Sequence, residues 1–236
     1  MATALPAPGT RDPSAPHCSR VPGLKLAGSP NFGERRGGVR PSLIVLHYTG
    51  MASCAEARAR LCDAAAEVSA HWLISETGVV EALVPEERRA WHAGAGSWRG
   101  VTDVNSHSIG IELANPGDRP FPEAQMAALE VLLAGVMARW GIAPIGVIAH
   151  SDMAPSRKGD PGRRFDWRRL ALQGLAVWPV AAEAGDFRAD LRAFGYPDAS
   201  QADLLAAFRL RFRPWAAGPA DDGDAGLAAG LARSVA

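Results

Sequence analysis

The stretch Ser42-Leu-Ile-Val-Leu-His47 decides how the rest of the chain is interpreted. Its centre is apolar and rich in β-branched residues, which predicts a buried strand that ends at a histidine. Side chains alternate between the two faces of a strand, so Leu43, Val45 and His47 share one face. Functional side chains collect where strands end and loops begin, so His47 becomes the first candidate for a functional site.

Strands and helices alternate on both sides of this stretch. The predicted strands cover residues 70–75, 79–84, 108–113 and 145–149, and the first two of them flank the turn Glu76-Thr-Gly78. The predicted helices cover residues 53–66, 122–140 and 166–172. This alternation predicts an α/β fold in which a mixed central sheet is flanked by helices.

The 236 residues are enough for one moderate domain and a small second one. Residues 1–28 are rich in Pro, Ala, Gly and Ser without periodicity and are predicted to be a mobile leader. Residues 29–179 contain the alternating elements and form the predicted main domain. Residues 180–236 show helical sequence patterns and are predicted to form a small domain of three helices.

Charge and hydropathy exclude two classes of partner. Lys plus Arg and Asp plus Glu number 25 each, whereas proteins that bind nucleic acid phosphates usually carry a basic excess. No uninterrupted apolar run approaches the roughly 20 residues that span a bilayer. We therefore expect neither a nucleic acid partner nor a membrane span, and the sequence indicates no particular protein partner.

The N-terminus and the cysteines favour a reducing compartment. Pro6 and Pro8 interrupt the opening stretch, which lacks the apolar run of a secretory signal. Three cysteines, Cys18, Cys54 and Cys62, give no disulfide framework. These features predict a cytoplasmic protein.

Five dispersed side chains carry the candidate chemistry: His47, Glu112, His150, Lys158 and Asp160. Glu112 lies in the apolar strand 108–113, and a buried carboxylate without a partner is costly. The residues on its own face are small, which leaves room for a polar group beside it. His150 follows the strand 145–149 and begins the loop that carries Asp160.

Two histidines and one aspartate are enough for a catalytic zinc site, which keeps its fourth position for water. A nearby glutamate would accept a proton from that water, and a lysine would stabilise an oxyanion. Each residue also has a simpler interpretation. His47 alone suits a hydrogen-bonded polar residue, Asp160 before Pro161 suits a turn, and Lys158 suits a solvated loop charge.

Six motifs, in this order, resemble the amidase-2 family of N-acetylmuramoyl-L-alanine amidases, including its AmiD and AmpD branches. The motifs are Ser29-Pro-Asn-Phe-Gly-Glu-Arg35, Leu46-His-Tyr-Thr-Gly-Met51, Val68-Ser-Ala-His-Trp-Leu-Ile74, Arg89-Ala-Trp-His-Ala-Gly94, Asn105-Ser-His-Ser-Ile-Gly-Ile-Glu-Leu113 and His150-Ser-Asp-Met-Ala-Pro-Ser-Arg-Lys-Gly-Asp-Pro161. The resemblance implies the fold of T7 lysozyme and of the peptidoglycan recognition proteins for residues 29–179.

The resemblance also implies an activity and a ligand set. His47, His150 and Asp160 match the zinc ligands, Glu112 matches the catalytic glutamate, and Lys158 matches the lysine that stabilises the transition state. The implied reaction is hydrolysis of the amide between N-acetylmuramic acid, ordinary or 1,6-anhydro, and L-alanine in peptidoglycan or muropeptides. The alternative is a recognition module without turnover, which the complete ligand set disfavours.

Four further residues are candidates for substrate binding: Trp91, His92, Asn105 and Arg157. Trp91 and His92 resemble a family loop beside the substrate groove, although a packed turn explains them equally well. Asn105 either positions this loop or touches the substrate. Arg157 belongs to a basic loop that would dock peptide carboxylates, with plain solvation as the alternative.

The C-terminal segment resembles a three-helix peptidoglycan-binding module. The similar stretches are Leu191-Arg-Ala-Phe-Gly-Tyr-Pro197 and Leu205-Ala-Ala-Phe-Arg-Leu-Arg-Phe-Arg-Pro214, although the core of a plain helical bundle explains them too. A wall-binding module favours the periplasm or envelope, which is the alternative to the cytoplasmic location.

Overall fold

A computed structural model of the chain describes residues 25–26 and 28–235. The strands are β1 (Lys25–Leu26), β2 (Phe32–Gly33), β3 (Leu43–Tyr48), β4 (Trp72–Ile74), β5 (Val80–Ala82), β6 (Arg89–Ala90), β7 (Ser108–Leu113) and β8 (Val147–Ala149). The α-helices are α1 (Cys54–Leu61), α2 (Val104–His107), α3 (Glu123–Trp140), α4 (His150–Met153), α5 (Trp167–Leu172), α6 (Phe187–Phe194), α7 (Gln201–Phe212) and α8 (Asp222–Arg233).

Six strands form a mixed central sheet in the order β1-β5-β4-β7-β3-β8. The four strands β4, β7, β3 and β8 are parallel to one another, whereas β5 is antiparallel to β4 and parallel to β1. A separate two-stranded sheet pairs β2 with β6. The predicted α/β fold with a mixed sheet and flanking helices is confirmed. The parallel strands bring their carboxyl ends to one edge of the sheet.

The predicted helix 53–66 is shorter in the structure. Helix α1 is capped by Ser53, whose hydroxyl accepts from the Glu56 N–H, but it ends at Leu61. Asp63 then caps a separate short 3-10 turn at Ala64–Ala66 by accepting from the Ala65 N–H. An aspartate side chain that bonds the local backbone competes with a continuous helix. The single long helix was therefore a wrong prediction.

The two faces of the sheet are covered differently. One face packs against α3 and α5 in a continuous apolar cluster that includes Ile44 and Ile111. On the other face, α1 covers Leu73, and the C-terminal helices cover Leu43 and Val45. A cavity lies on this second face, and the metal-binding candidates line it.

The two predicted segment boundaries, after residue 28 and after residue 179, can be compared with the positions of the strands and helices. Strand β1 lies inside the predicted leader 1–28, while residues 1–24 and 27 lie outside the described residues. The predicted boundary between 179 and 180 falls in the irregular link between α5 and α6, before three C-terminal helices. Within the described part of the chain, no helix combines the length and apolarity that a membrane crossing requires.

Helix α3 provides a paired test of the core beneath the sheet. Leu129 is fully buried and Val131, two residues later, is 60% exposed. We expect Leu129→Ala to lower the free energy of unfolding by about 2–5 kcal/mol, because it leaves a cavity in the core. Val131→Ala should change it by less than about 0.5 kcal/mol. Urea titrations of both variants measure the difference, and equal effects would contradict the packing.

Candidate metal centre

Three neighbouring parallel strands carry the central side chains to one edge of the sheet. In the register, His47 on β3 is the partner of Glu112 on β7. Paired residues of parallel strands point to the same face, so both side chains face the cavity. On the other side of β3, Leu46 pairs with Ala149, the last residue of β8, and His150 follows it. Asp160 returns to the same place because its carbonyl accepts from the Ser151 N–H at 3.1 Å.

The donor atoms of His47, His150 and Asp160 form a nearly equilateral triangle. His47 Nδ1 lies 2.9 Å from His150 Nδ1 and 2.9 Å from Asp160 Oδ2, and His150 Nδ1 lies 3.0 Å from Asp160 Oδ2. All three residues are buried. Together they are a group that could hold a metal ion among the described residues.

The tautomer of His150 follows from its other ring nitrogen. His150 Nε2 lies 2.9 Å from the carbonyl oxygen of Ala93. A carbonyl only accepts hydrogen bonds, so Nε2 carries the proton. In the neutral imidazole, Nδ1 therefore presents its lone pair to the centre of the triangle.

The tautomer of His47 is set by a chain of three hydrogen bonds. The Ser108 hydroxyl donates to the Val104 carbonyl at 2.5 Å, so its oxygen is left to accept from His92 Nε2 at 3.2 Å. His92 Nδ1 is then an acceptor, and it lies 3.1 Å from His47 Nε2. His47 Nε2 consequently donates, and His47 Nδ1 also presents a lone pair to the triangle.

In these tautomers three lone-pair donors converge, and a cation bound between them would relieve their repulsion. Burial, followed by the charge of His150, lowers the pKa of His47 to about 4. Burial alone would raise the pKa of Asp160, but His150 and His47, when either is protonated, outweigh it by hydrogen bonding and positive charge and hold that pKa below its ordinary value. Neutral histidines and an ionised carboxylate are the forms that bind metal, so the residues fit such an ion.

The donor set also suits a particular ion. Two imidazoles and one carboxylate, with the remaining side open to a cavity, match the three-ligand arrangement of catalytic zinc. Tetrahedral zinc with bonds of about 2.0–2.1 Å spaces its ligand atoms roughly 3.3 Å apart. The observed spacing of 2.9–3.0 Å is slightly shorter, so a small outward shift of the ligands would accommodate the ion.

Glu112 faces the same cavity, and its carboxylate has both an oxygen atom without a partner among the described residues and a raised pKa. Its Oε2 atom is buried and has no hydrogen-bond partner among the described residues. Burial raises the pKa of Glu112 well above its ordinary value; Asp160 adds to this effect and Lys158 opposes it. An acid in this state accepts and returns a proton near neutral pH more readily than an exposed glutamate does.

The cavity has a volume of about 460 Å³, and its wall contains most of the predicted substrate-binding residues. Trp91, His92, Arg157 and Lys158 line it, and so does Arg60 on α1. Sequence reasoning missed Arg60, because its only signal is an exposed charge on a helix. Sequence reasoning also missed that the ring of His92 has a second task, which is to hold His47.

Two of the predicted residues hold the loop that follows β6. The Asn105 side-chain oxygen accepts from the N–H groups of His92 at 3.0 Å and Ala93 at 2.8 Å. The guanidinium of Arg157 donates to the carbonyl of Ala93 at 2.7 Å and to that of Ala95. Asn105 is buried and does not line the cavity, whereas Arg157 both lines it and supports the loop.

Gly110 and His71 complete the support behind the metal-binding residues. A Cβ atom at Gly110 would come within 2.5–2.7 Å of the His92 ring, so glycine is needed for the ring to lie there. His71 is buried, and its Nδ1 accepts from the Gly110 N–H at 2.9 Å. His71 therefore belongs to the packing beneath the site and not to the converging triangle.

A buried group of two histidines and one aspartate, beside an unpartnered carboxylate at the edge of a mixed sheet, is the arrangement of a metal-dependent hydrolase. Residues 37–163 match the family described as N-acetylmuramoyl-L-alanine amidase. The chain belongs to this family.

Individual relatives agree with this assignment. Over 212 residues the chain is 36% identical to the N-acetylmuramoyl-L-alanine amidase AmiD of Escherichia coli. This alignment covers 74% of this chain and 76% of AmiD. Over 103 residues it is 40% identical to the 1,6-anhydro-N-acetylmuramyl-L-alanine amidase AmpD of Enterobacter cloacae. That alignment covers 44% of this chain and 55% of AmpD.

Solved structures agree as well. The complex of E. coli AmiD with the substrate anhydro-N-acetylmuramic acid-L-Ala-D-gamma-Glu-L-Lys superposes with a TM-score of 0.74 at 33% identity, covering 86% of this chain and 98% of that one. AmpDH3 from Pseudomonas aeruginosa, in complex with anhydromuramic pentapeptide, has a TM-score of 0.74 at 30% identity, covering 84% and 93%.

Asn105 provides a test of loop positioning against substrate contact. Asn105→Ala removes the acceptor of two backbone N–H groups, so we expect the unfolding free energy to fall by about 1–3 kcal/mol. The amides of His92 and Ala93 should exchange with deuterium faster than in the parent chain. Asn115→Ala, which removes the acceptor for the Gly117 N–H in another loop, is the control. Unchanged exchange at His92 and Ala93 with a raised KM would show substrate contact instead.

Proposed function

We propose that this chain is a zinc amidase that hydrolyses the bond between N-acetylmuramic acid and L-alanine. Its zinc ligands are His47, His150 and Asp160, its general base is Glu112, and Lys158 stabilises the oxyanion. The observation that carries the proposal is the convergence of three buried lone pairs beside the Glu112 carboxylate, whose Oε2 atom is buried and has no hydrogen-bond partner among the described residues. Both ordinary and 1,6-anhydro muramyl peptides are proposed substrates, because the chain is 36% identical to a relative named for the first and 40% identical to one named for the second.

The chain's own residues divide the chemistry between them. Bound zinc would supply Lewis acidity, which lowers the pKa of a water molecule and polarises the carbonyl. Glu112 takes a proton from the attacking water while the water oxygen bonds to the lactyl carbonyl carbon. When the carbon–nitrogen bond breaks, Glu112 returns that proton to the amine of L-alanine. The raised pKa of Glu112 suits both transfers.

The cationic wall of the cavity accounts for the proposed binding of an acidic peptide. Lys158 lines the cavity beside Glu112 and Asp160, where its ammonium group can meet the negative charge that develops on the carbonyl oxygen. Arg157 and Arg60 also line this cavity. Guanidinium groups bind carboxylates strongly, so these two arginines are proposed to contact the carboxylates of the peptide stem. Trp91 lines the same cavity and is a further proposed contact.

The domain division and the compartment remain predictions from the sequence. Residues 29–179 hold every proposed catalytic residue, and residues 180–236 form three helices that resemble a peptidoglycan-binding module. The cytoplasmic location rests on residues that the structure does not describe, and the periplasm stays the alternative. Fractionation of cells that produce the untagged chain tests this choice, and activity in the periplasmic fraction would overturn the cytoplasmic prediction.

Metal content is the direct test of the proposed ligands. We expect the purified chain to bind one zinc ion, and His150→Ala to weaken that binding by more than about 100-fold, since even partners outside the ligand set cost 10–100-fold. His107→Ala is the matched control, because His107 bonds the Asp103 carbonyl outside the triangle. Zinc retained by the His150 variant against a chelator would contradict the assignment.

Glu112→Gln separates catalysis from metal binding. The amide keeps the shape of the side chain but accepts no proton, so we expect kcat to fall by about 10²–10⁴-fold with the zinc content unchanged. Glu87→Gln, on the surface, should leave both unchanged. Near-normal turnover of the Glu112 variant on a purified muramyl peptide would show that another group activates the water.

Glu112→Gln is expected to lower turnover, but it should stabilise the folded state of the metal-free chain. The pKa of Glu112 is raised on folding, so the folded state retains the proton when the unfolded state has lost it. The free energy of unfolding therefore falls as pH rises from the unfolded pKa through the folded pKa. Metal-free Glu112→Gln should exceed the metal-free parent in stability at pH 7, and the gap should close below pH 4. Urea titrations at both pH values measure it, and a gap independent of pH would contradict the raised pKa.

A further inference from the structure

Helix α4 is a single turn, His150–Met153, that carries one of the proposed metal ligands. A helix this short has little stability of its own, because nucleation is unfavourable and few hydrogen bonds follow it. The direction of the His150 ring therefore depends on contacts made by the other residues of the turn. Asp152, two residues after His150, makes most of them.

Asp152 is fully buried and joins α4 to the C-terminal segment. Its Oδ2 atom accepts from the Ala149 N–H at 2.9 Å, which closes the beginning of the turn. Its Oδ1 atom accepts from the Tyr196 hydroxyl at 2.6 Å. Arg211 on α7 donates a charge-assisted hydrogen bond from Nη1 to Oδ2. Two of these three donors come from beyond residue 180.

Arg211 also contacts the strand that leads into α4. Its side chain is 1% exposed, and its Nη2 donates to the carbonyl of Val147, the first residue of β8, at 3.2 Å. The guanidinium lies 4.1 Å from the ring centre of Trp167 on α5. One buried cation thus contacts β8, α4 and α5, and it is not among the residues that line the cavity.

We propose that Arg211 and Tyr196 are positioning residues of the metal centre, which act on His150 through the carboxylate of Asp152. The C-terminal helices would then be a structural part of the catalytic unit in addition to any role in wall binding. This inference rests on the metal site proposed above. Groups that orient metal ligands from behind commonly set metal affinity in this way.

The packing of the two segments supports this inference. Leu43 and Val45 of β3 share one apolar cluster with Phe194 on α6 and with Phe208 and Phe212 on α7. A module that is merely tethered would have its own separate core. The match to the AmiD complex covers 86% of this chain, which is more than residues 29–179 supply.

The chain offers a matched control two residues away on the same helix. Arg209 also forms a buried ion pair, with Asp224, and its other hydrogen bonds go to the carbonyls of Gly218 and Pro219. All of these partners lie within the C-terminal segment. Arg209→Met and Arg211→Met therefore both break a buried pair on α7, but only Arg211→Met releases Asp152.

The experiment measures zinc affinity by chelator competition on the full chain, with urea unfolding measured in parallel. We expect Arg211→Met to bind zinc about 10–100-fold more weakly and Arg209→Met to stay within about two-fold of the parent, although both are less stable. Arg211→Lys should recover part of the affinity, because it restores a charged donor to Asp152. The cobalt-substituted Arg211→Met protein should show an altered visible absorption spectrum, since the His150 ring is no longer held.

Tyr196→Phe removes only a hydroxyl and decides the question if Arg211→Met does not fold. It should bind zinc several-fold more weakly with the cobalt spectrum shifted in the same direction. Parent-like affinity and spectra in Tyr196→Phe, and in Arg211→Met if it folds, would overturn the inference while leaving the zinc site intact. Failure of the parent chain itself to bind zinc would instead remove the proposed site.

Discussion

The rest of the site depends on one constraint, which is that three buried lone pairs must point at the same place. A buried imidazole whose donor nitrogen faces a carboxylate would normally be protonated there. In this chain the outer nitrogen of each histidine is already committed as a donor, His150 to Ala93 and His47 to His92. The hydrogen bonds behind the site therefore keep both inner nitrogens open for a cation.

The coverage of the sheet explains why this arrangement faces a cavity. Helix α1 packs over β4, and the C-terminal helices pack over the beginning of β3. Leu43, Val45 and His47 follow one another along one face of β3. The first two pack in the apolar cluster with the C-terminal helices, and His47 lines the cavity. Glu112 lies beside His47 in the register, so the proposed general base and the proposed metal ligands lie next to each other on this face.

Strand periodicity was enough to predict which face of its strand His47 and Glu112 each occupy, because alternation is a local property of the backbone. The strand 108–113 was predicted at its observed bounds for the same reason. The helix 53–66 was mispredicted because the capping preference of Asp63 competes with helical periodicity. The hydrogen-bond chain from Ser108 through His92 to His47, and the pair between Arg211 and Asp152, join residues 16 to 59 positions apart. Local patterns carry no information on such contacts.

The central claim is that this geometry cleaves one particular bond, and the masses of the products test it most directly. The purified zinc-loaded chain is incubated with a defined muramyl peptide, and the products are analysed by mass spectrometry. We expect two products, the free muramyl sugar acid and an intact peptide that begins with L-alanine, and their summed mass should exceed that of the substrate by one water. Shortened stem peptides still attached to muramic acid would indicate a peptidase, and intact substrate bound without turnover would indicate a recognition module. Either result would contradict the account.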